Sequence, residues 1–215
     1  MGLTRTMITS LLLATLTVFS IAPSTAMATE RERRATVQER FAPKEGRFYV
    51  HAAGASLFRN DFYNSVGYGG DVGYFTSEAW GFELRILNLH SWLGRAAQGI
   101  REDHSLIPDL RAPDALFVAG TRYSWGYGKV LTMDRFVVHF DPQLILHGGI
   151  TLAEDRVVPT STFGFGFLSH WNHGVQIKVD LQMIFQMERR ERGWTPSLGF
   201  VPMLGIGWSP PGDAR

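Results

Sequence analysis

The stretch Gly174–Met187 alternates between apolar and polar side chains over its whole length. Its polar positions are Gln176, Lys178, Asp180, Gln182 and Gln186, and the residues between them are apolar, with Ile184 as the one exception to the alternation. Because successive side chains of a β-strand point to opposite faces, the pattern predicts a strand with one apolar and one charged face. A strand of this length can cross a bilayer at a tilt, which takes about 9–11 residues. Soluble sheets show the same alternation, so the fold depends on whether it repeats.

The alternation recurs after Gly46 in extended segments that turn residues separate. The predicted segments are 47–58, 63–75, 80–92, 115–130, 135–152, 160–171, 174–187 and 196–208. Pro142 predicts a bend or bulge in the fifth segment, because proline cannot donate to a strand ladder. The connections after the second, fourth and sixth segments are short, whereas those after the third, fifth and seventh are longer and polar. This spacing is typical of an up-and-down outer-membrane barrel whose termini both lie in the periplasm.

The polar faces of these segments are crowded with glycine, for example at Gly67, Gly69, Gly164 and Gly166. Glycine weakens a strand that faces solvent, but it suits the interior of a narrow eight-stranded barrel, where little room is left for side chains. The opposite faces are rich in aliphatic and aromatic residues, with aromatics near the segment ends, as membrane interfaces require. We therefore predict an all-β fold, an eight-stranded antiparallel up-and-down transmembrane β-barrel. A soluble barrel that packs its apolar residues inside is the alternative.

This orientation turns a set of polar residues towards the lumen, where their mixed charges are close enough to pair. The predicted lumenal network comprises Asp71, Glu83, Arg85, Arg122, His139, Asp141, Gln143, His147, Lys178, Asp180 and Gln182. We expect this network to plug the barrel.

The N-terminus has the features of a secretory signal peptide. Arg5 supplies a positive charge, residues 8–22 form an apolar stretch, and small residues at Ala26 and Ala28 offer two cleavage sites. The predicted organisation is a signal peptide over residues 1–28, a polar periplasmic linker over 29–46, an outer-membrane barrel over 47–209 and a short tail over 210–215. We therefore expect export to the cell outer membrane.

Composition excludes several other classes of protein. The chain of 215 residues has a formal net charge of +1 and no cysteine. The near-neutral charge argues against a nucleic-acid partner, which would require a basic surface. Without cysteine, the chain has neither disulfides nor thiol chemistry.

Several short motifs resemble those of the outer-membrane β-barrel domain family typical of myxobacteria and related bacteria. They are Phe62-Tyr63-Asn64, Gly126-Tyr127-Gly128-Lys129, Val138-His139-Phe140-Asp141 and Gly148-Gly149. The resemblance covers roughly Arg47 to Pro210. It implies a small eight-stranded barrel without catalytic residues, of a kind that in some cases accompanies envelope assemblies such as gliding-motility complexes. A structural or interaction role is the expectation that follows.

Two other functions remain open as alternatives. His139 and Asp141 lie about 7 Å apart along one strand face, so they could act as a general base in an outer-membrane lipid-modifying enzyme. Their lumenal orientation favours a structural network instead. A small channel is the other alternative, although eight strands enclose an interior that side chains fill. We expect no enzyme activity and no cofactor.

Two features near predicted connections suggest binding. His170 and His173 flank a turn and could hold a metal weakly, but no third ligand is apparent, so an exposed turn is the favoured interpretation. Arg189, Arg190 and Arg192 belong to the last predicted outer loop and could contact lipopolysaccharide phosphates, which arginine binds well. Outer-membrane lipid, lipopolysaccharide and other envelope proteins are therefore the predicted partners.

Overall fold

The computed structural model describes residues 43–59, 63–94, 97–99, 102, 112–132, 136–154, 156–171, 174–190 and 193–210. The predicted signal peptide, most of the predicted linker and residues 211–215 lie outside this part of the chain. The described strands are β1 (Arg47–Arg59), β2 (Tyr63–Phe75), β3 (Trp80–Leu93), β4 (Pro113–Ser124), β5 (Gly128–Thr132), β6 (Phe136–Ala153), β7 (Arg156–His170), β8 (Val175–Arg190) and β9 (Gly193–Trp208). Among the described residues, no helix is long and apolar enough to span a membrane.

The strands close into a barrel. Consecutive strands pair antiparallel, except that β4 and β5 both pair with β6, and β1 also pairs with β9. Strands β4 and β5 pair with successive stretches of the same edge of β6. Together they take the place of a single strand in the barrel wall, and we call each such place a wall position. The result is a closed antiparallel barrel with eight wall positions, which confirms the predicted fold class.

The interruption between β4 and β5 differs from the single fourth segment that the sequence predicts. Ser124 pairs with Gln143 and Gly128 with Phe140, so three residues on one side face two on the other. Pro142 is one of those two residues. Because proline lacks the N–H that the ladder needs, the pairing breaks opposite it, and the extra residue forms a bulge-like step.

The connections define two ends of the barrel. The terminal end carries both ends of the described barrel chain and the connections 76–79, 133–135 and 171–174. The loop end carries the connections 60–62, 94–112, 154–155 and 191–192. The long polar connections predicted after the fifth and seventh segments are wrong, because the strands continue through them. Polar residues in these stretches also belong to paired strands; Arg189 on β8, for example, pairs with Trp194 on β9.

Apolar side chains cover the outside of the barrel wall. Strand β3 alternates buried and exposed residues from Trp80 to His90. Its outward positions include Phe82, Leu84 and Ile86, whereas Glu83 and Arg85 point inward and are buried. Leu204 and Ile206 on β9 are each more than 60% exposed. The barrel thus reverses the usual arrangement of a soluble protein.

All six tryptophans of the chain lie on the outside, close to strand ends, and are 44–52% exposed. Four are at the terminal end and two at the loop end: Trp80, Trp125, Trp171 and Trp208, and Trp92 and Trp194. Trp80 and Trp92 share β3; at ~3.3 Å per residue and a tilt of ~40°, they are separated by ~30 Å along the barrel axis. This spacing is close to the height of the apolar band of outer-membrane barrels with its flanking aromatic girdles.

Candidate functional site

Ion pairs fill the barrel interior towards the terminal end. We call this group the lumenal charge cluster; it comprises Lys44, Asp71, Glu83, Arg85, Arg122, Asp141, Lys178 and Asp180. Each of these residues is buried. The strand alternation brings them together because inward positions of β2, β3, β4, β6 and β8 meet across the narrow lumen.

Arg122 lies at the centre of the cluster. Its guanidinium donates to both carboxylate oxygens of Asp180, at 2.7 and 3.1 Å, and to Glu83 at 2.9 Å. Its Nε donates to the side-chain oxygen of Gln143 at 2.7 Å. Arg85 donates to Glu83 at 2.5 Å and to Asp180 at 2.6 Å. Two guanidinium groups therefore share two carboxylates, an arrangement suited to the planar fork of arginine.

A second branch runs from Glu83 to β1. Lys178 contacts Glu83 at 3.4 Å and also pairs closely with Asp71. The other oxygen of Asp71 lies 2.7 Å from His51 Nδ1, and His51 Nε2 lies 3.0 Å from Gln176. Tyr49 donates its hydroxyl to Glu83 at 3.0 Å. The branch supplies each buried carboxylate with several hydrogen-bond donors, as burial of charge requires.

Lys44 extends the cluster to the terminal end. It lies in the range 29–46 that the sequence predicts as linker, yet its side chain enters the barrel and is 2% exposed. The ammonium lies 2.5 Å from Asp141 and donates to Ser124 Oγ at 2.7 Å. Ser124 also accepts a bond from Gln143, which connects Lys44 to Arg122. A residue that precedes the first strand therefore completes the network.

The formal charges of the cluster cancel. It contains four carboxylates and four basic side chains, and Lys44 is the cation that brings the two numbers into balance. A buried charge without a partner is strongly destabilising, so this balance is what allows the interior to be so polar.

The rest of the interior is also filled. Towards the loop end an apolar layer includes Leu57, Leu87, Leu116, Ile184 and Met203. Beyond it, Arg59 donates to Gln186 at 3.0 Å and to Glu188 at 2.7 Å. The described interior thus has an ionic layer, an apolar layer and a second polar layer. Sequence alternation did not predict the apolar layer, because those inward positions are apolar like their outward neighbours.

The structure brings together most of the predicted lumenal residues. His147 lies 3.4 Å from Glu83, and Gln182 donates to Asp180 at 3.4 Å. His139 is different: it is half-buried, stacks on Tyr127 and lies 2.5 Å from the Tyr127 hydroxyl. Strand β7 ends at His170, which pairs with His139, so His139 lies at the rim of the barrel rather than within its charge cluster.

The alternative in which His139 and Asp141 act together as a catalytic couple has no support in these contacts. Asp141 instead contacts Lys44 and lies 3.6 Å from His170. His170 is buried, so its interpretation as part of an exposed turn is wrong. The described residues contain no group of three or more His, Asp or Glu residues that could hold a metal ion, and His173 lies outside them.

The predicted arginine loop is part of a strand pair. Arg189 is exposed in β8, and its cross-strand partner is the outward Trp194. The carbonyl oxygen of Arg189 accepts a bond of 2.6 Å from Arg156. Arg190 pairs with Gly193 in the ladder, while its side chain and all of Arg192 lie outside the described residues. Arg189 therefore lies next to an outward-facing tryptophan, but on a strand rather than in a loop.

Several members of the network are absent from the predicted lumenal set, namely Lys44, Tyr49, His51, Ser124, His170 and Gln176. His51 could have been found, because it alternates with the apolar Val50 and Ala52 in the first predicted segment. Lys44 carried no such signal, since it precedes the alternating pattern.

Comparisons with known proteins give similarity at the level of the barrel. No family model matches the chain. No curated protein matches either. Among solved structures, the N-terminal β-barrel domain of Pseudomonas aeruginosa OprF is 15% identical, with a TM-score of 0.39, covering 77% of this chain and 99% of that one. Ail, the attachment invasion locus protein of Yersinia pestis, is 14% identical with the same TM-score and coverage. This likeness concerns the barrel fold alone.

Proposed function

We propose that this protein is an integral outer-membrane barrel with a structural or interaction role and a closed lumen. The observation that carries the proposal is the inverted distribution of side chains: apolar residues cover the wall, and ion pairs fill the interior. Water would make such a wall unfavourable, whereas lipid hydrocarbon makes it favourable. The tryptophans at both ends of the wall support the same environment.

A closed lumen follows from the charge balance of the interior. Arg122 on β4 contacts Glu83 on the neighbouring β3 and Asp180 across the lumen on β8, and the apolar layer lies between them and the loop end. An ion passing through the lumen would have to separate these ion pairs, and it could not replace the lost partner of both the cation and the carboxylate. The interior therefore serves the stability of the barrel rather than transport.

The lipid partner in this proposal is the outer leaflet, at the loop end. Arg189 and Arg156 lie together beside Trp194, just beyond the apolar wall. Guanidinium groups bind phosphate by charge-assisted hydrogen bonds, so this corner suits a lipopolysaccharide phosphate. Arg190 and Arg192 follow directly in the chain and belong to the same proposed contact.

The termini in this proposal lie in the periplasm, after removal of the signal peptide. Gly46 and Ser209 both bond to backbone groups at the terminal end, namely those of Phe75 and Gly174. The longest stretch of chain between two consecutive strands, residues 94–112, is at the other end, and longer loops mark the extracellular end of outer-membrane barrels. Membership of the myxobacterial-type family, and work within an envelope assembly such as a motility complex, complete the proposal.

The proposal is tested by fractionation of cells and by conductance. We expect the full-length protein in the outer-membrane fraction, with a band in gel electrophoresis that shifts on boiling, as folded barrels show. Purified protein in planar lipid bilayers should give no steady conductance. Soluble protein in the periplasm would contradict the membrane location, and steady single-channel currents would favour the small channel instead. A lipid-modifying activity lost in His139→Ala and Asp141→Ala, with the boiling shift retained, would favour the enzyme.

A further inference from the structure

Two buried histidines lie on either side of one amide in the barrel interior. His51 on β1 is 2% exposed, and His170 on β7 is 6% exposed. The amide of Gln176 on β8 lies between their rings: its oxygen is 3.0 Å from His51 Nε2, and its nitrogen is 3.3 Å from His170 Nδ1. Histidine changes its charge in the physiological pH range, so one amide connects two groups that can bind a proton. We call these two residues the histidine pair.

A carboxylate lies at the other nitrogen of each ring. Asp71 Oδ1 is 2.7 Å from His51 Nδ1, and Asp141 Oδ2 is 3.6 Å from His170 Nε2. Among the described residues, His170 Nε2 is buried without a hydrogen-bond partner. An ionised carboxylate accepts hydrogen bonds but cannot donate them, so each of these ring nitrogens is more stable with a hydrogen than with a lone pair.

Gln176 cannot hydrogen-bond to both rings when both are neutral in this way. With hydrogens on His51 Nδ1 and His170 Nε2, the two nitrogens that face the amide hold lone pairs. The amide donates only from its nitrogen and accepts only at its oxygen, so one ring receives a hydrogen bond and the other faces the oxygen. Turning the amide over exchanges the two rings but leaves one lone pair against the oxygen. The conflict is therefore independent of the amide orientation.

We propose that the histidine pair is a proton-binding site that holds one proton, shared between His51 and His170 through Gln176. When one ring is doubly protonated, its N–H donates to the amide oxygen, and the amide nitrogen donates to the neutral ring. Each ring nitrogen then meets a complementary atom in a chain that runs from Asp71 to Asp141. A second proton would place an N–H group against the amide nitrogen, which donates but does not accept.

The charges around the histidine pair allow one proton but disfavour two. The titratable and charged side chains that surround the pair are Lys44, Tyr49, Asp71, His139, Asp141 and Lys178. Their two carboxylates and two lysines cancel in formal charge. Burial opposes an imidazolium, and contact with a carboxylate offsets this opposition in part. The hydrogen bonds through the amide therefore decide the first proton, whereas a second proton would add a positive charge without a new acceptor.

The histidine pair is close to the terminal end of the barrel. Strand β7 ends at His170, whose cross-strand partner His139 lies half-buried at the rim. In the other direction the apolar layer, which includes Leu87 and Leu116, separates the pair from the loop end. Protons therefore exchange with the compartment at the terminal end. The proposed function makes that compartment the periplasm, so the charge of the pair follows periplasmic pH; only this assignment of compartment rests on the proposed function.

Nitrogen NMR of isotope-labelled histidine rings tests the inference in the full-length protein, folded in lipid vesicles. The chemical shifts of the ring nitrogens distinguish an imidazolium from either neutral form. His51→Gln and His170→Gln assign the two sets of signals. Between about pH 8 and pH 5, we expect the pair to take up protons until it holds one imidazolium and no more. Two imidazolium groups in the folded barrel, or none, would overturn the inference.

Gln176→Glu tests the role of the amide. A carboxylate can accept a hydrogen bond from both rings and donates to neither, so we expect two imidazolium groups at the pH where the wild-type pair has one. Gln186→Glu is the matched control: Gln186 is also buried on β8, but it contacts Arg59 towards the loop end, at 3.0 Å. The control should leave one imidazolium in the pair. A single imidazolium in folded Gln176→Glu would overturn the sharing of the proton through the amide.

The outcomes separate this inference from the proposed function. The count in the wild-type barrel decides the inference even if Gln176→Glu does not fold. Protein that fractionates as soluble would overturn the membrane location, while the protons on the two rings could still be counted. A folded, membrane-inserted barrel whose histidine pair stays neutral, or takes up two protons, would overturn the shared proton alone.

Discussion

Arg122 on β4 and Asp180 on β8 form a two-point contact inside the barrel, with nitrogen–oxygen distances of 2.7 and 3.1 Å. The contact joins wall positions that are not adjacent in the sheet. It therefore connects distant strands through the interior of the barrel, in addition to the backbone hydrogen bonds between neighbouring strands. Both side chains are buried, so neither can exchange its partner for water.

Arg122→Ala should destabilise the barrel by about 3–5 kcal/mol, because Asp180 and Glu83 would remain buried with one cation fewer. The measurement is the urea dependence of unfolding in lipid vesicles. Arg122→Lys is the control; it keeps the charge but loses the two-point geometry, so a smaller loss is expected. Equal stability of Arg122→Ala and wild type would show that the cluster does not hold the interior together.

Lys44→Ala tests whether the residue before the first strand is part of the barrel. The change removes the cation that lies 2.5 Å from Asp141 and leaves that carboxylate among buried groups. We expect a loss of stability of a few kcal/mol, similar to other broken buried pairs. Glu45→Ala, at an exposed neighbouring position, should leave the unfolding midpoint unchanged. A variant Lys44→Ala that unfolds like the Glu45→Ala control would place Lys44 outside the stabilising network.

Gly166→Ala tests the packing of the cluster. A β-carbon at this position would lie 2.5 Å from Asp180 Oδ1 and 2.7 Å from Arg122 Nη2, both of which are held by their ion pair. Overpacking of this kind costs about 1–3 kcal/mol. Gly148→Ala provides the comparison, since its β-carbon would meet no atom within 4 Å. Indistinguishable stabilities for the two alanine variants would argue against a tightly packed lumen.

Leu204→Arg tests the apolar wall. Leu204 is 62% exposed on β9, four residues before the strand ends at Trp208. An arginine there should cost about 2–4 kcal/mol in membrane stability if the position lies near the bilayer midplane. Leu204→Phe keeps an apolar surface and should fold into vesicles normally. If the arginine variant folds as well as the phenylalanine variant, the wall does not face hydrocarbon.

Sequence periodicity was sufficient for the barrel because nearly every strand separates its faces clearly. In β8, for example, Lys178 and Asp180 alternate with Val179 and Leu181, and the structure places the first pair inside and the second outside. The strand number and the antiparallel order followed from repetition of this pattern. Strand ends were harder to place, because polar residues such as Arg189 still pair in the ladder beyond the apolar wall.

The contacts inside the lumen could not be obtained in the same way. Alternation gives the face of a residue but not its height in a sheared barrel, so it could not distinguish His139 at the rim from Asp141 in the cluster. Lys44 lies outside any strand, and its side chain reaches Asp141 only once the barrel has closed. The inward orientation of Leu87 and Leu116 could not be predicted, because their strands have apolar residues on both faces at that height in the barrel.

The most direct test of the central claim is the accessibility of spin labels along β9 in lipid vesicles. Single cysteines replace Phe200, Leu204 and Ile206, which face outward, and Val201 and Met203, which face inward. We expect the outward labels to be accessible to oxygen dissolved in the bilayer and protected from a water-soluble paramagnetic reagent. The inward labels should be protected from both. Outward labels that meet the water-soluble reagent would contradict a membrane-spanning barrel.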